Sequence, residues 1–225
     1  IMREMLLEGV DVKVQASISL CRIYTLLAQG LGYPDRGLHL TLCNDEFAEE
    51  IRMQSQYCCP GFSELFDATH GPSLHVDMTY HDLCAEYLQA FETDAPSPSA
   101  ALNEGVYAYK TDRPALMLEL KSFYRNFGLQ INCETNELAD TITAVLEFMQ
   151  FLCVKESQAR VKGLSPDAYV LAQRDFLARH LTLWLPEARL AAAKTIKSNL
   201  YTTLVAMADD VTRLHLAELQ KAECR

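Results

Sequence analysis

Apolar residues recur along most of this chain at intervals of three and four rather than two. Between Val12 and Leu31 they fall at 16, 20, 23, 24, 27 and 31, the spacing that turns one face of an α-helix toward a core. Gly32-Tyr33-Pro34 ends that segment, because a proline ring disfavours helical backbone in the residue before it. Asn44 or Asp45 is placed to cap a helix reaching about Gln56. The stretch after Cys58 is broken by Pro60 and Gly61, and residues 74–91 form the next clear helix, with a stripe of Tyr80, Leu83, Cys84, Tyr87 and Phe91. Residues 92–113 are a long connection containing Pro96, Pro98 and Gly105. Pro114 then suits the first turn of a helix and Gly128 its left-handed cap. A long helix is predicted over 137–162, and another opens at Ser165-Pro166 and runs to Leu185, where Pro186 should break it. Two more follow over 187–197 and 198–223. No alternating strand pattern, glycine-rich phosphate loop or internal repeat is visible. The expected fold is an all-α bundle of eight to nine helices, as one domain over 1–225 or as two halves, 1–112 and 113–225, packed together.

Composition narrows the class. At 49% apolar residues the chain can build a core and is not a disordered segment. It contains no apolar run of the ~18–20 residues that span a bilayer, so no stable membrane insertion is expected. The first residues carry Glu4, Glu8 and Asp11, unlike the basic start of an export or organelle leader, and a cytoplasmic location is expected. Eight cysteines stand at 21, 43, 58, 59, 84, 133, 153 and 224 without a Cys-x-x-Cys pair. Structural zinc sites usually need paired ligands twice over, so reduced thiols packing as small hydrophobes are expected, with no metal and no cofactor. The strongest metal candidate is His81-x-x-Cys84, with His70 and His75 upstream. One such pair at helical spacing would support a metal-dependent enzyme only if further ligands joined it.

Charge adds direction. The formal net charge is −10 and is unevenly spread. Residues 53–109 hold no Lys or Arg but eight acids (Glu64, Asp67, Asp77, Asp82, Glu86, Glu92, Asp94, Glu104), and residues 126–154 hold none but four (Glu134, Glu137, Asp140, Glu147). An acidic field repels phosphate backbones and argues against nucleic acid as a partner. It suits a basic ligand, or simply a solvated acidic surface.

Several motifs occur in a fixed order. Leu31-Gly32-Tyr33-Pro34-Asp35 closes the first helix. Glu86-Tyr87 with Phe91 closes another. Pro96-Ser97-Pro98 is followed by Asn103-Glu104-Gly105-Val106-Tyr107. Then come Asp140-Thr141 with Leu146-Glu147-Phe148-Met149, and Gln173-Arg174-Asp175-Phe176 with His180-Leu181 and Trp184-Leu185-Pro186. In this order and spacing, over about residues 19–190, the chain resembles the TorD/DmsD/NarJ family of redox-enzyme maturation chaperones. It departs from the family pattern at Asn103 and Gly105, where an aromatic residue and a serine are usual. It departs again at Thr141, where the family's Asp-His pair has its histidine.

The resemblance implies a TorD-like helical fold and a protein that catalyses nothing. Its partner would be the apo form, or the twin-arginine signal peptide, of a molybdopterin-containing oxidoreductase catalytic subunit. The chaperone would hold that client for molybdenum-cofactor insertion before export. The client site implied by the family's motifs comprises Tyr80, Tyr87, Phe91, Glu104, Val106, Tyr107, Asp140 and Thr141. It would lie where the 92–113 connection meets the start of the 137–162 helix and the 74–91 helix. Glu104 and Asp140 are expected at the surface, free to pair with a client arginine, while His180 and Trp184 are expected to pack the bundle together. Each of these residues also has a plainer reading: Tyr87 and Phe91 as core packing, Glu104 as a loop acid or capping group, Asp140 as an acid in a helix's first turn. The rival functions are a helical adaptor with an unrelated partner, and a metal-dependent enzyme using His81 and Cys84. Co-purification with a molybdenum enzyme subunit separates the chaperone from both.

Overall fold

A computed structural model describes residues 11–93, 100–108, 112–129 and 138–223. Among these residues the secondary structure is helical, with eleven α-helices and no strand beyond one isolated antiparallel bridge. They are α1 (Val12–Leu31), α2 (Arg36–Cys43), α3 (Glu46–Cys58), α4 (Phe62–Leu65), α5 (Tyr80–Phe91), α6 (Glu104–Tyr107), α7 (Arg113–Asn126), α8 (Ile142–Val161), α9 (Asp167–Phe176), α10 (Thr182–Thr195) and α11 (Asn199–Glu223). Two of them, α4 and α6, are single turns of four residues. The architecture is all-α as expected, but with eleven described α-helices in place of eight to nine, because α2 and the single turn α6 carry too few residues to show a period.

Helix α1 runs through the middle. It packs along α8 for most of its length and also touches α3 and α11. Ile23, Tyr24 and Leu27 have no solvent exposure, and neither do Val145, Leu146, Met149, Leu152 and Cys153 of α8. The buried positions of α1 spread beyond one stripe to Ser17, Ser19, Leu26 and Ala28, as expected for a helix covered on several sides. Tyr24 takes its polar tip into this core by bonding His215 Nδ1 at 2.9 Å. Burial holds the His215 imidazole down, at a pKa of about 3.

Capping chemistry sets several boundaries. Asp11 and Asp35 accept from the first-turn amides of α1 and α2. The α2 segment was not foreseen: eight residues between a proline and an asparagine carry too short a periodic signal. For α3, Asn44 caps by accepting from Glu46 N–H at 3.2 Å. Asp45 sits at φ 64° and makes no cap bond; its carboxylate meets His75 Nδ1 at 2.8 Å. Residues 74–79 are not helical, and α5 begins only after Thr79, whose hydroxyl accepts from Asp82 N–H. Gly128 takes the expected left-handed conformation after α7.

Pro186 does not end a helix as the sequence suggests. It lies inside α10, in that helix's second turn. The break comes earlier, as a widened π turn over Leu177–Leu181 between α9 and α10. A proline's missing amide affects one bond only, and a π turn just upstream realigns the backbone so that α10 continues through it.

The far side of the bundle is held by buried charge. Asp209 and Asp210 of α11 are 2% and 5% exposed. Arg189 of α10 bridges them at 3.0 and 2.7 Å, Arg213 bonds Asp209 at 3.0 Å, and His70 reaches Asp210 at 3.1 Å. Burial alone would raise the Asp210 pKa, but bonds from His70 and Arg189 outweigh it and lower the pKa. Buried carboxylates persist only with such partners.

Candidate functional site

The sequence-predicted site residues fall into three groups. The first is built around the segment before α8. Asn103 and Thr141 form the antiparallel bridge. Glu104 N–H donates to Asp140 C=O at 3.0 Å, and Ile142 N–H donates to Leu102 C=O at 2.8 Å. This pairing holds Thr141 extended after the turn at Ala139-Asp140, so α8 starts at Ile142 rather than near 137, with Thr141 Oγ1 capping Ala144 N–H. Thr141 is thus a helix cap, and Asp140 lies just outside the helix rather than in its first turn. Residues 94–99, 109–111 and 130–137, which border this region in sequence, lie outside the described residues.

Glu104 and Asp140 are not surface acids, which corrects the expectation above. They are 5% and 0% exposed. Glu104 Oε1 meets Nδ1 of His180, itself 1% exposed, at 2.9 Å. Asp140 Oδ2 accepts from Gly105 N–H at 3.0 Å, while its Oδ1 is buried without a partner. The sequence misleads here because a loop acid looks exposed until its partner is known, and His180 lies 76 residues away. Tyr124 closes the cluster by donating to Ala139 C=O at 2.8 Å. Burial, with the nearby Glu104, Asp140 and Glu147 carboxylates, pushes its pKa up. Tyr107 stacks on Trp184 with ring centroids 5.8 Å apart and 17° between planes, and donates to Ala101 C=O at 3.0 Å. Val106 keeps its side chain at the surface. Fastening α6 to α10, this group joins parts of the chain far apart in sequence, as expected of His180 and Trp184.

The second group is aromatic. Tyr87 is buried and edge-on to Tyr33, Phe91 and Tyr201 at centroid distances of 5.5, 5.2 and 5.7 Å. Its hydroxyl donates to Leu31 C=O at 3.4 Å. Burial, with the charge of Glu92, raises its pKa to about 12. Phe91 is buried behind it, against Tyr201. Tyr80 stands apart as the third group. It donates to Pro34 C=O at 3.2 Å and lies under the Arg36 guanidinium, 4.9 Å from its ring centre.

Between Tyr87 and the start of α8 opens a cleft of about 1070 Å³. Its walls are the C-terminal half of α1, the turn at Gly32-Tyr33, α2, α3, and Thr143, Ala144 and Glu147 of α8. Of the motif residues predicted from sequence, Tyr87 alone lines it directly. Glu104, Asp140 and Thr141 lie behind it and fix the helix end that forms its wall. Five carboxylates line the cleft (Asp35, Glu46, Glu49, Glu50 and Glu147) against one lining base, Arg22, so its lining is predominantly acidic. Arg22 pairs with Glu50 at 3.0 Å, and Glu49 with Arg52. Asp35, Glu46, Glu49 and Glu50 were missed as site residues because α2 was unseen and the basic residues nearby mask the charge of this stretch. The signal was the run Asp45-Glu46 and Glu49-Glu50, whose helical spacing places acids on one face.

The proposed metal pair does not grow into a site. His81 is exposed, Cys84 is buried on α5, and among the described residues no group of three or more His, Cys, Asp or Glu side chains is arranged to hold a metal ion. No helix of the described residues is long and apolar enough to cross a membrane.

Fold and cleft define an all-helical bundle that presents an acidic cleft large enough for a peptide segment. Comparison with known proteins gives this class a family. The nitrate reductase delta subunit family matches residues 46–189, well over half of the chain. The chain is 43% identical over 212 residues to the perchlorate reductase assembly chaperone protein of Dechloromonas aromatica, covering 94% of this chain and 95% of that one. It is 38% identical over 112 residues to the selenate reductase assembly chaperone protein of Thauera selenatis, covering 50% and 58% of the two chains. Against the chaperone protein TorD of Vibrio parahaemolyticus it is 27% identical over 109 residues, 47% and 49% of the two. The chain belongs to the nitrate reductase delta subunit family, among the redox-enzyme chaperones that its motifs resemble.

Proposed function

We propose that this protein is a cytoplasmic assembly chaperone for a molybdenum-dependent oxidoreductase and performs no catalysis itself. It binds the immature catalytic subunit or its twin-arginine signal peptide and keeps the client available for cofactor insertion before export. Kinship with an assembly chaperone along nearly the whole chain supports the role. The acidic cleft is the observation that carries the client site: its carboxylate-rich lining attracts a basic peptide, and Leu26, Phe47, Met53 and Tyr87 add apolar wall. Tyr87 contributes to the wall directly, with Phe91 behind it and Tyr80 bracing the Pro34 turn. Glu104, Asp140 and Thr141 act by setting where α8 starts, and its first two turns present Thr143 and Glu147. Val106 is exposed on α6, and Tyr107 acts by fastening that turn to α10.

The test is binding of a twin-arginine peptide at two ionic strengths, together with co-purification of a molybdenum oxidoreductase subunit from the native host. Affinity should fall as salt rises, because the Debye length contracts to ~8 Å at physiological ionic strength, with a salt-resistant remainder from apolar contact. Equal affinity at low and high salt would remove the cleft's charge from recognition. Absence of any molybdenum enzyme from the co-purified material would remove the proposed client.

A further inference from the structure

The cleft is not uniform along its length. Arg22 meets Glu50 at 3.0 Å and Ser19 meets Gln54 at 2.9 Å, so α1 and α3 run antiparallel along its floor. Toward the C-terminal end of α1 the two helices lead to Asp35 and Glu46, with Tyr33 and Glu147 across the opening. Asp35 and Glu46 carry no ion pair among the described residues. Tyr33 is 58% exposed and offers a free aromatic face there. In the other direction the character changes. The Arg22–Glu50 pair neutralises itself, Met53 lines the wall, and Ile18 and Tyr57 follow one helical turn further on the same helix faces. Ile18, Met53 and Tyr57 are 45%, 41% and 45% exposed, a large apolar share to leave in water on adjacent turns.

We infer that the cleft reads its occupant with a fixed polarity: basic residues at the corner of Tyr33, Asp35, Glu46 and Glu147, and an apolar segment laid over Ile18, Met53 and Tyr57. This rests on the chaperone reading and sharpens it to a partner chemistry. The occupant is a peptide whose positive charges and apolar turns are contiguous but separate, not one in which they alternate. Carboxylates take guanidinium groups in bidentate bonds, and the Tyr33 ring adds a cation–π face. The apolar strip takes area from water without needing directed bonds. Charge complementarity orients the peptide, since reversing it would set guanidinium groups over the apolar strip and beside Arg22.

The experiment is a mutant cycle with a synthetic peptide of two adjacent arginines followed by about three apolar helical turns. Two peptide variants replace the arginines by glutamine or the apolar residues by serine. Two protein variants are Glu46→Gln with Glu147→Gln, and Ile18→Ser with Met53→Ser and Tyr57→Ser. The acid-end variant should bind the parent peptide about tenfold more weakly and be nearly indifferent to losing the arginines. It should still discriminate against the serine peptide. The apolar-end variant should show the converse pattern. Parent peptide that binds the wild type but couples equally to both protein variants, or to neither, overturns the polarity while leaving the chaperone reading standing. Parent peptide that does not bind the wild type overturns both.

Discussion

Replacing Glu104 by alanine should unfold this protein more easily rather than merely weaken a client contact. The glutamate is 5% exposed and its carboxylate oxygens lie 2.9 and 3.2 Å from Nδ1 of His180, which is 1% exposed. His180 Nε2 has only a distant neighbour in Glu119, at 3.5 Å. Truncation at 104 therefore leaves a buried ring nitrogen without a partner. Breaking a buried pair from one side costs about 3–5 kcal/mol when both groups are charged, and about 1.5–3 kcal/mol for a hydrogen bond to one charged group. Taking about 3 kcal/mol, and a shift of about 2–4 °C per kcal/mol for a chain of this size, the melting temperature should drop by about 6–12 °C. Glu104→Gln keeps the shape and one oxygen acceptor, so it should lose less than half as much. His180→Ala should resemble Glu104→Ala, and the double variant should be clearly less unstable than the sum of the two. Thermal unfolding followed by far-UV circular dichroism measures all four proteins. Client-peptide affinity measured well below melting should change little in Glu104→Gln. A melting temperature within about 1 °C of the wild type, together with a tenfold loss of peptide affinity, would refute the reasoning. It would mean that the carboxylate is reached by the client and does not hold the loop.

Three further outcomes are expected. Gly105→Ala should destabilise the protein by about 1–3 kcal/mol, because a Cβ there would stand 2.8 Å from Asp140 Oδ2 inside a closed cluster; an unchanged urea midpoint would show that the cluster yields freely. Stability should fall as pH drops from about 6.5 toward 3, because His215 is held near pKa 3 in the fold and regains its ordinary value on unfolding, so the unfolded chain binds the extra proton in that window. His215→Gln should flatten that part of the pH–stability curve, and an unaltered slope would assign the effect elsewhere. Asp210, with its pKa lowered in the fold, contributes stability that is present above the ordinary carboxylate value and lost as pH falls through the lowered one; Arg189→Met should shrink that lowest-pH loss, read from melting curves taken at acid pH.

Much of this molecule was legible in its sequence for a physical reason. Helix α1 follows from a three-and-four spacing bounded by Pro34, and the observed helix spans Val12–Leu31 as the pattern requires. Capping by Asn44, the left-handed Gly128 and the opening of α9 after Ser165-Pro166 are local chemistry, decided within a few residues. The family, too, is written in short motifs in fixed order, and the match over residues 46–189 agrees with them. What tertiary structure alone decided were relations between distant parts of the chain. Glu104 looks like an exposed loop acid until His180 is brought against it from 76 residues away. The start of α8 moves to Ile142 because an antiparallel bridge from Asn103 holds Thr141 extended, and no helix propensity near 137 records that bridge. Pro186 reads as a breaker from its own missing amide, yet a π turn upstream lets α10 pass through it. The acidic cleft had no single signature, because its carboxylates come from α2, α3 and α8. Periodicity and caps are properties of neighbours along the chain; a cleft and a buried ion pair are properties of neighbours in space, and only packing makes those.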